Sequence, residues 1–361
     1  MFKQIKNFFI NLKNKFFGTI SDEIGIDLGT TNTLVYVKGR GIVINEPSIV
    51  AVNSKTGQIV AVGQVAKNML GRTPGHIKAV QPVIDGVISD FEITEEMLAY
   101  LLDKASGKRM KFFGPRVVVG VPSGITNVEV RAVEDAAKNA GAREVYIVEE
   151  PMAAAVGIKL PVKTPTGSMV VDIGGGTTDI GIVSLGGLVN ARNITVAGDT
   201  FNNDIINYIR SEFKILIGKK TAEEIKIKVN SVKELDEPLE TIVRGRDLVS
   251  GLPREVVITD TDVRDAISTS VLRLVEVIKE VLETTPPEVV ADVMRKGVYL
   301  TGGGALLRGL DDLLKEELGV PVRVADDPLT AVVRGTSEIL TDIPGYKEAL
   351  ITHDYEFTPK E

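Results

Sequence analysis

The sequence contains no cysteine and only two histidines, His76 and His353. Without cysteine the chain has no disulfide bond and no thiolate ligand for a metal ion. With two histidines in the whole sequence, we expect neither a Ser-His-Asp catalytic triad nor a histidine-rich zinc site. Any chemistry must therefore use carboxylates, hydroxyls, amines and backbone groups.

Two common phosphate-binding signatures are also missing. The sequence has no GxxxxGK[ST] segment, which excludes a P-loop protein, and no GxGxxG after a strand, which argues against a Rossmann dinucleotide site. The net charge is −7, so we expect no nucleic-acid partner. A chain of 361 residues exceeds one usual core, and we expect two domains or lobes.

Long apolar runs are absent, since no stretch approaches the roughly 20 apolar residues of a membrane-spanning helix. The N-terminus nevertheless has an apolar stripe at helical spacing, flanked by lysines. The stripe consists of Phe2, Ile5, Phe9, Leu12 and Phe16. A helix packed on its own domain or on a partner would show the same spacing. We favour an interfacial membrane-binding segment over residues 1–18, because lysines beside an apolar face add attraction to anionic lipid.

Alternating strand and helix patterns predict an α/β fold. In the first half, strands are expected at 24–29, 34–37, 41–52, 58–62, 116–121 and 144–148. Helices are expected from Thr94 to about Gly107, from 127 to 140 and from Pro151. In the second half, strands are expected at 168–173, 180–185, 188–196, 298–301 and 320–324. Helices are expected at 200–217, 221–229, 261–284, 286–296, up to Leu318 and from Pro328.

The most informative feature is an internal duplication. The segment IGIDLGTTNTLVYV at 24–37 and the segment MVVDIGGGTTDIGIV at 169–183 have one pattern of strand, Asp, Gly, Thr-bearing turn and strand. Asp27 corresponds to Asp172. A third glycine turn at 302–304 joins a strand to a helix. One glycine turn alone is weak evidence, because tight turns need glycine for purely structural reasons.

Two matched turns that carry a strand-end aspartate suggest a nucleotide site. Backbone N–H groups bind phosphate oxygens, and two such turns facing each other across a cleft would hold a polyphosphate from both sides. Asp27 and Asp172 would hold Mg²⁺ through water, because Mg²⁺ keeps much of its hydration shell.

These segments resemble the actin-like ATPase superfamily, which includes actin, DnaK-type chaperones, FtsA and sugar kinases. Within it the sequence is most similar to the MreB family of bacterial cell-shape actins. Further matching stretches are VGVPSGITNVEVRAVEDAAKNAGAREVYIVEEPMAAAVG, LTGGGALLRGLDDLL and DDPLTAVVRGT. The resemblance extends from about residue 24 to residue 340. It implies an α/β, actin-like ATPase fold with two duplicated, ribonuclease-H-like lobes and a nucleotide cleft between them.

The resemblance also implies roles for individual residues, with ATP and Mg²⁺ as cofactors. The expected nucleotide-binding residues are Thr30, Thr31, Asn32, Gly174, Gly175, Gly176, Ala222, Glu223, Glu224, Ile225, Gly302, Gly303, Gly304 and Ala305. The expected metal residues are Asp27 and Asp172, both acting through water. Glu150 would orient the attacking water, with help from Thr177. The neighbouring Glu149 is an alternative to Glu150, and either is also explained as an acid at a helix start.

One departure from actin concerns charge. No lysine lies near Thr30 to Thr33, where actin itself has one that acts on phosphate. The absence agrees with the MreB resemblance and leaves charge compensation to Mg²⁺ and amides.

The implied layout has lobe I at 19–164 and 334–352, with a small subdomain at about 51–83. Lobe II is expected at 165–333, with a small subdomain at about 201–258, and a polar tail at 353–361.

The function that the resemblance implies is a cytoplasmic ATPase that polymerises into filaments on the inner face of the cytoplasmic membrane. Its partners would be other copies of itself, the membrane and membrane-embedded cell-wall elongation proteins. A chaperone-type ATPase is the first alternative, but no substrate-binding domain is expected after the fold. A sugar or acetate kinase is the second, but its acceptor pocket often needs inserted segments, and the loops here are short.

Overall fold

The computed structural model describes residues 22–71, 74–106 and 114–351. The amphipathic segment predicted at 1–18 and the polar tail predicted at 353–361 lie outside the described residues. Within the described ranges, the chain packs into two compact units. The first contains the residues up to Val121, Ile125–Glu149 and the residues from Val332, and the second contains Pro122–Gly124 and Glu150–Ala331. The packing therefore changes at Glu150, earlier than the lobe boundary predicted at residue 164, which stays a prediction.

The first unit is built on a five-stranded sheet. Its strands are β1 (Glu23–Leu28), β2 (Asn32–Val37), β3 (Gly41–Pro47), β4 (Val50–Asn53), β5 (Ile59–Val62), β6 (Ile77–Val80), β7 (Val83–Ile84), β8 (Val87–Ile88), β9 (Arg116–Val121) and β10 (Glu144–Glu149). Its helices are α1 (Gln64–Met69), α2 (Phe91–Ser106) and α3 (Asn127–Asn139). The main sheet has the order β10-β9-β1-β2-β3, and a smaller sheet has the order β5-β4-β6.

Burial explains this arrangement. The central strands β1 and β9 pair in parallel, and side chains such as Ile24, Ile26, Val117 and Val119 are fully buried. Such β-branched runs suit a strand covered on both faces. Helix α3 starts at a capping box in which Thr126 and Glu129 satisfy each other's backbone N–H groups.

Two details of the first unit differ from the sequence predictions. The single strand predicted at 41–52 is interrupted after Pro47, where the chain leaves the main sheet and joins the smaller one. Helix α2 begins at Phe91, and the predicted cap at Thr94 is wrong. The Asp90 carboxylate accepts the N–H of Ile93 at 3.1 Å, while the Thr94 hydroxyl donates to the Asp90 carbonyl at 2.6 Å.

The second unit repeats the plan of the first. Its strands are β11 (Ser168–Ile173), β12 (Thr178–Ser184), β13 (Gly187–Ile194), β14 (Ile215–Leu216), β15 (Glu240–Asp247), β16 (Pro253–Thr259), β17 (Val298–Thr301) and β18 (Val322–Val324). Its helices are α4 (Glu150–Gly157), α5 (Gly198–Glu212), α6 (Lys219–Val229), α7 (Asp260–Glu283), α8 (Pro287–Lys296) and α9 (Leu310–Leu318). A last helix, α10 (Ala331–Thr341), leads back into the first unit.

The two main sheets have one topology, which confirms the duplication predicted from the sequence. The second sheet has the order β13-β12-β11-β17-β18. In each sheet the central strand, β1 or β11, has an antiparallel hairpin partner on one side and a parallel strand on the other. The matched residues Asp27 and Asp172 therefore occupy equivalent positions near the end of a central strand.

The small sheet β14-β15-β16 was not predicted. The helix predicted at 200–217 ends at Glu212, because Lys214 has a positive φ of 56° and the chain then enters β14. Strands β15 and β16 form an antiparallel hairpin. Most of the β15 side chains are exposed or partly exposed, so its apolar run is too short to stand out in the sequence.

Gly25 provides a test of the first unit's packing. A Cβ at Gly25 would lie 2.5 Å from the Thr336 Oγ1 of α10 and 3.1 Å from the Ser337 backbone nitrogen. Gly25→Ala is expected to lower the free energy of unfolding by about 1–3 kcal/mol, the usual cost of overpacking. Urea denaturation measures this change. Gly75→Ala is the control, since a Cβ at Gly75 meets nothing within 4 Å, and equal midpoints for both variants would contradict the packing.

Candidate functional site

The first predicted turn lies between β1 and β2 and is held by hydroxyl groups. The Ser48 hydroxyl donates to the Gly29 carbonyl at 2.6 Å, and the Ser48 N–H donates to the Thr31 carbonyl at 3.0 Å. The Thr30 hydroxyl accepts the N–H of Gly86 at 2.9 Å and is 6% exposed. Asn32 is exposed at the start of β2. The turn is therefore fixed from both sides, and the Thr30 hydroxyl keeps its proton for a second bond.

The second predicted turn, Gly174 to Thr177, joins β11 to β12. The turn is closed by the N–H of Gly174, which donates to the Thr177 carbonyl at 2.9 Å. The carbonyls of Gly174 and Gly175 accept the N–H groups of Gly198 and Asp199, at 3.1 and 2.7 Å. Both donors belong to the first turn of α5.

These two bonds determine where the turn's own N–H groups point. In a trans peptide, the N–H of a residue points opposite to the carbonyl of the residue before it, and no described peptide is cis. Because the carbonyls of Gly174 and Gly175 point to α5, the N–H groups of Gly175 and Gly176 point away from α5. Two neighbouring backbone N–H groups that point the same way form a binding site for an anionic oxygen.

The third glycine turn lies against the end of β11. Gly302 has a positive φ of 78°, and a Cβ there would lie 2.3 Å from the Ile173 carbonyl oxygen. A Cβ at Gly304 would lie 2.1 Å from the Ile173 Cγ2. Both positions require glycine, since a side chain would separate the turn from the strand. The structure therefore brings Gly302–Gly304, with the buried Ala305, next to the strand that carries Asp172.

Helix α6 places its predicted nucleotide residues in different surroundings. Ala222 and Ile225 are buried in the core. Glu224 and Ile225 line a cavity of about 360 Å³ together with residues 241–244 of β15. The charge of Glu223 acts on Lys226 and Asp199.

Lys226 is a residue of this region that the sequence analysis missed. Its ammonium group donates to the Gly198 carbonyl at 2.8 Å, beside the point where α5 meets the Gly174–Thr177 turn. Burial lowers the pKa of Lys226, while the carboxylates of Glu223 and Asp199 raise it in part. The site thus has a lysine near the glycine turn, although none follows the first turn.

Two carboxyl groups face each other on the hairpin of the second unit. Asp172 on β11 and Asp179 on β12 are direct partners in the antiparallel ladder. Burial raises the pKa of Asp172 to about 6. Burial also raises the pKa of Asp179, and the nearby Asp172 charge adds to the effect. The Asp172 Oδ1 atom is buried without a hydrogen-bond partner among the described residues.

This unpartnered oxygen fits a metal-bound water. Among the residues that the structure describes, no group of three or more His, Cys, Asp or Glu side chains forms a metal cluster. A site with few protein carboxylates is the pattern that Mg²⁺ adopts when phosphates and water complete its shell. The chemistry of Asp172 therefore fits a hydrated Mg²⁺ ion, and Asp27 occupies the equivalent strand position in the first unit.

The two glutamates considered for catalysis differ in their environment. Glu149 ends β10 and is partly exposed, whereas Glu150 begins α4 and is 7% exposed. Helix α4 packs on β11 and β12. Gly181 permits this approach, since a Cβ there would lie 2.5 Å from the Pro151 Cβ. The buried Glu150 is therefore anchored to the hairpin that carries Thr177.

None of the helices in the described part of the chain is long and apolar enough to cross a membrane. The predicted membrane residues, from Phe2 to Phe16, lie outside the described residues, and their role stays a prediction.

Comparison with known proteins gives consistent matches over almost the whole chain. The sequence profile of the MreB/Mbl protein family matches residues 21–348. The cell shape-determining protein Mbl of Bacillus subtilis (strain 168) is 50% identical over 321 residues, which cover 89% of this chain and 96% of Mbl. The cell shape-determining protein MreB of Escherichia coli (strain K12) is 49% identical over 330 residues, which cover 90% of this chain and 95% of MreB.

Solved structures agree. The crystal structure of MreB5 of Spiroplasma citri bound to ADP matches with a TM-score of 0.86 and 39% identity, covering 91% of this chain and 98% of MreB5. MreB5 bound to AMPPNP matches with a TM-score of 0.85 and 40% identity, with the same coverage. The actin-like α/β fold predicted from the sequence is confirmed.

The Asp172 carboxyl gives a prediction about stability and pH. Its pKa is raised from 3.8 to about 6 in the folded chain, so above pH 6 the folded state carries a buried charge that the unfolded state solvates freely. This penalty is absent below pH 3.8, grows as the pH rises from 3.8 to about 6, and stays constant above pH 6. At about 1.4 kcal/mol per pKa unit, Asp172→Asn should raise the free energy of unfolding of the nucleotide-free protein by ~3 kcal/mol at pH 8.

Chemical denaturation at pH 8 and near pH 4 measures this effect, which should nearly vanish at the lower pH. Asp236→Asn, at an exposed position of the same unit, is the control and should change little. A destabilised Asp172→Asn at pH 8 would contradict the buried charge.

Proposed function

The chain is a member of the MreB/Mbl protein family, and on this basis we propose that it is a bacterial actin-like cytoskeletal ATPase that forms filaments and helps to maintain cell shape. The observation that carries the ATPase assignment is the Gly174–Thr177 turn. Its carbonyls are tied to α5, so that the N–H groups of Gly175 and Gly176 are directed to one side. The ADP and AMPPNP bound to MreB5 support a nucleotide ligand for this turn.

The proposed ATP site uses backbone groups for the phosphates. Gly174, Gly175 and Gly176 would contact phosphate oxygens, and Thr30, Thr31 and Asn32 would do the same from the first turn. Gly302–Ala305 and α6 would contact the rest of the nucleotide. Lys226 adds positive charge beside the glycine turn. That both turns hold one nucleotide stays a prediction.

The proposed reaction is hydrolysis of the γ-phosphate. The oxygen of a water molecule bonds to the γ-phosphorus while the bond from that phosphorus to the β–γ bridging oxygen breaks, which yields ADP and inorganic phosphate. Phosphoryl transfer depends mainly on positioning and charge neutralisation. The Glu150 carboxylate would accept a hydrogen bond from the water and fix its direction, and Thr177 would assist. Mg²⁺, held through water by Asp172 and Asp27, would supply charge neutralisation when bound.

The cellular part of the proposal comes from the relatives. Mbl of B. subtilis and MreB of E. coli are cell shape-determining proteins. We propose self-association into filaments in the cytoplasm, held on the inner face of the cytoplasmic membrane by residues 1–18. Many weak anchors in one polymer bind a surface strongly through avidity. The partners of such a filament would be membrane-embedded proteins of cell-wall elongation.

Glu150 is the residue whose change tests the ATPase. Glu150→Gln is expected to slow phosphate release from ATP by about 10²-fold, because an amide orients water less well than a carboxylate. Nucleotide affinity should stay within a few-fold of wild type. Phosphate release and nucleotide titration give the two values. Filaments of the variant should still sediment in ATP and Mg²⁺.

Glu149→Gln is the matched control and should hydrolyse ATP normally. The reverse pattern would assign the role to Glu149. Absence of ATP turnover and of sedimentable filaments in the wild-type protein would reject the proposed function altogether.

The membrane segment is tested by deletion. Removing residues 2–17 should abolish pelleting with anionic liposomes, because the deletion removes both the apolar stripe and the lysines that flank it. ATP-dependent polymerisation without lipid should persist. Phe9→Glu combined with Phe16→Glu is a sharper variant that keeps the chain length. Equal pelleting of wild-type and deleted protein would refute the anchor.

A further inference from the structure

Asp179 is a fully buried carboxylate with no role in the function described above. It lies on β12 opposite Asp172 on β11 and opposite Asn193 on β13. Directly paired residues of antiparallel strands have side chains on one face of the sheet. Asp179 therefore lies beside the carboxylate assigned to the metal.

Each oxygen of Asp179 accepts a hydrogen bond from an N–H donor. Oδ1 accepts the backbone N–H of Ser123 at 2.7 Å, and Oδ2 accepts the Asn193 Nδ2–H at 2.8 Å. The carboxylate also interacts with the Thr177 hydroxyl. One side chain thus connects the Pro122–Gly124 segment, strand β13 and the residue expected to assist hydrolysis.

Ser123 carries the observation that points to a ligand. The residue is 4% exposed, and its Oγ is buried without a hydrogen-bond partner among the described residues. A buried hydroxyl without a partner is costly and rare in a native protein. Its backbone is nevertheless held firmly, because the Ser123 N–H is bonded to Asp179 and Gly124 takes a positive φ of 72°. The backbone at Ser123 and Gly124 is thus held in place, and the Ser123 hydroxyl remains available to a ligand.

The Thr177 hydroxyl is oriented by the same carboxylate. A hydroxyl can both donate and accept a hydrogen bond, and the Thr177 hydroxyl interacts with the Asp179 carboxyl group through one of these capacities. Its other capacity is then available to water. The Ser123 segment and the Thr177 hydroxyl are therefore both held by one buried carboxyl group.

We propose that Asp179 is a positioning residue that directs the Ser123 and Thr177 hydroxyls toward the attacking water and the terminal phosphate during hydrolysis. Ser123 contacts the terminal phosphate or the water directly, whereas Asp179 acts through the two hydroxyls. This inference rests on the proposed ATPase function. It adds Ser123 as a contact residue and gives a role to a carboxyl group that is buried opposite another carboxyl group.

A purely structural tether makes a different prediction. A tether needs only the Ser123 backbone N–H, so removal of the Ser123 hydroxyl would change nothing. Ser123→Ala keeps the backbone bond and removes only Oγ. It should lower kcat for ATP hydrolysis by about tenfold, with nucleotide affinity and the melting temperature close to wild type.

Variants at Asp179 and Asn193 test whether the hydrogen bonds of Asp179 matter, because the two side chains can exchange donor and acceptor roles. Asp179→Asn turns an NH2 group toward one of the two N–H donors, and kcat should fall at least as far as in Ser123→Ala. The double variant Asp179→Asn with Asn193→Asp again matches each donor with an acceptor. The oxygen of the new amide at position 179 accepts the Ser123 N–H, and its NH2 group donates to the new carboxylate at position 193. This double variant should recover kcat to within a few-fold of wild type.

The measurements are steady-state phosphate release, nucleotide titration and thermal melting of the full chain, with wild type as reference. A loss of kcat in Ser123→Ala, together with recovery in the double variant, supports the inference. Wild-type turnover with an unaffected Ser123→Ala overturns the inference and leaves the proposed function intact. Absence of turnover in the wild type instead rejects the proposed function.

Discussion

The site of the second unit depends on two hydrogen bonds between a glycine turn and the start of a helix. The N–H groups of Gly198 and Asp199 bind the carbonyls of Gly174 and Gly175, and the planar trans peptide then aims the N–H groups of Gly175 and Gly176 the other way. Helix α5 fixes the orientation of the turn's backbone, and Lys226 from α6 strengthens the same junction through the Gly198 carbonyl.

Stability and function oppose each other around this turn. Burial makes the Asp172 carboxylate costly in the nucleotide-free chain, and a second carboxyl group with a raised pKa, that of Asp179, is buried opposite it. Groups with perturbed pKa values cluster at functional sites. The Asp172 Oδ1 and Ser123 Oγ atoms are buried without hydrogen-bond partners among the described residues, and the Ser123 backbone is bonded to Asp179, the strand partner of Asp172. We propose that a hydrated metal–phosphate group satisfies both atoms. Nucleotide and Mg²⁺ are thus expected to stabilise the second unit.

Much of this arrangement follows from the sequence, because strands and glycine turns leave local patterns. The duplicated Asp-Gly-Thr segments led directly to equivalent central strands, and the glycines at 302 and 304 are explained by contacts with Ile173. The features that could not be predicted from the sequence depend on contacts between residues far apart in the chain. Lys226 reaches the glycine turn only because α6 packs on α5, and the Asp179 acceptors join three separate segments. Strands β15 and β16, with one solvated face, lack a continuous apolar run.

The most direct test of this account is a crystal structure of the protein with AMPPNP and Mg²⁺. The account predicts phosphate oxygens about 3 Å from the backbone nitrogens of Gly175 and Gly176, the distance of an N–H···O hydrogen bond. It also predicts the Ser123 hydroxyl within hydrogen-bond reach of the terminal phosphate or its attacking water. Phosphates bound elsewhere, with these backbone nitrogens turned toward other protein atoms, would contradict it.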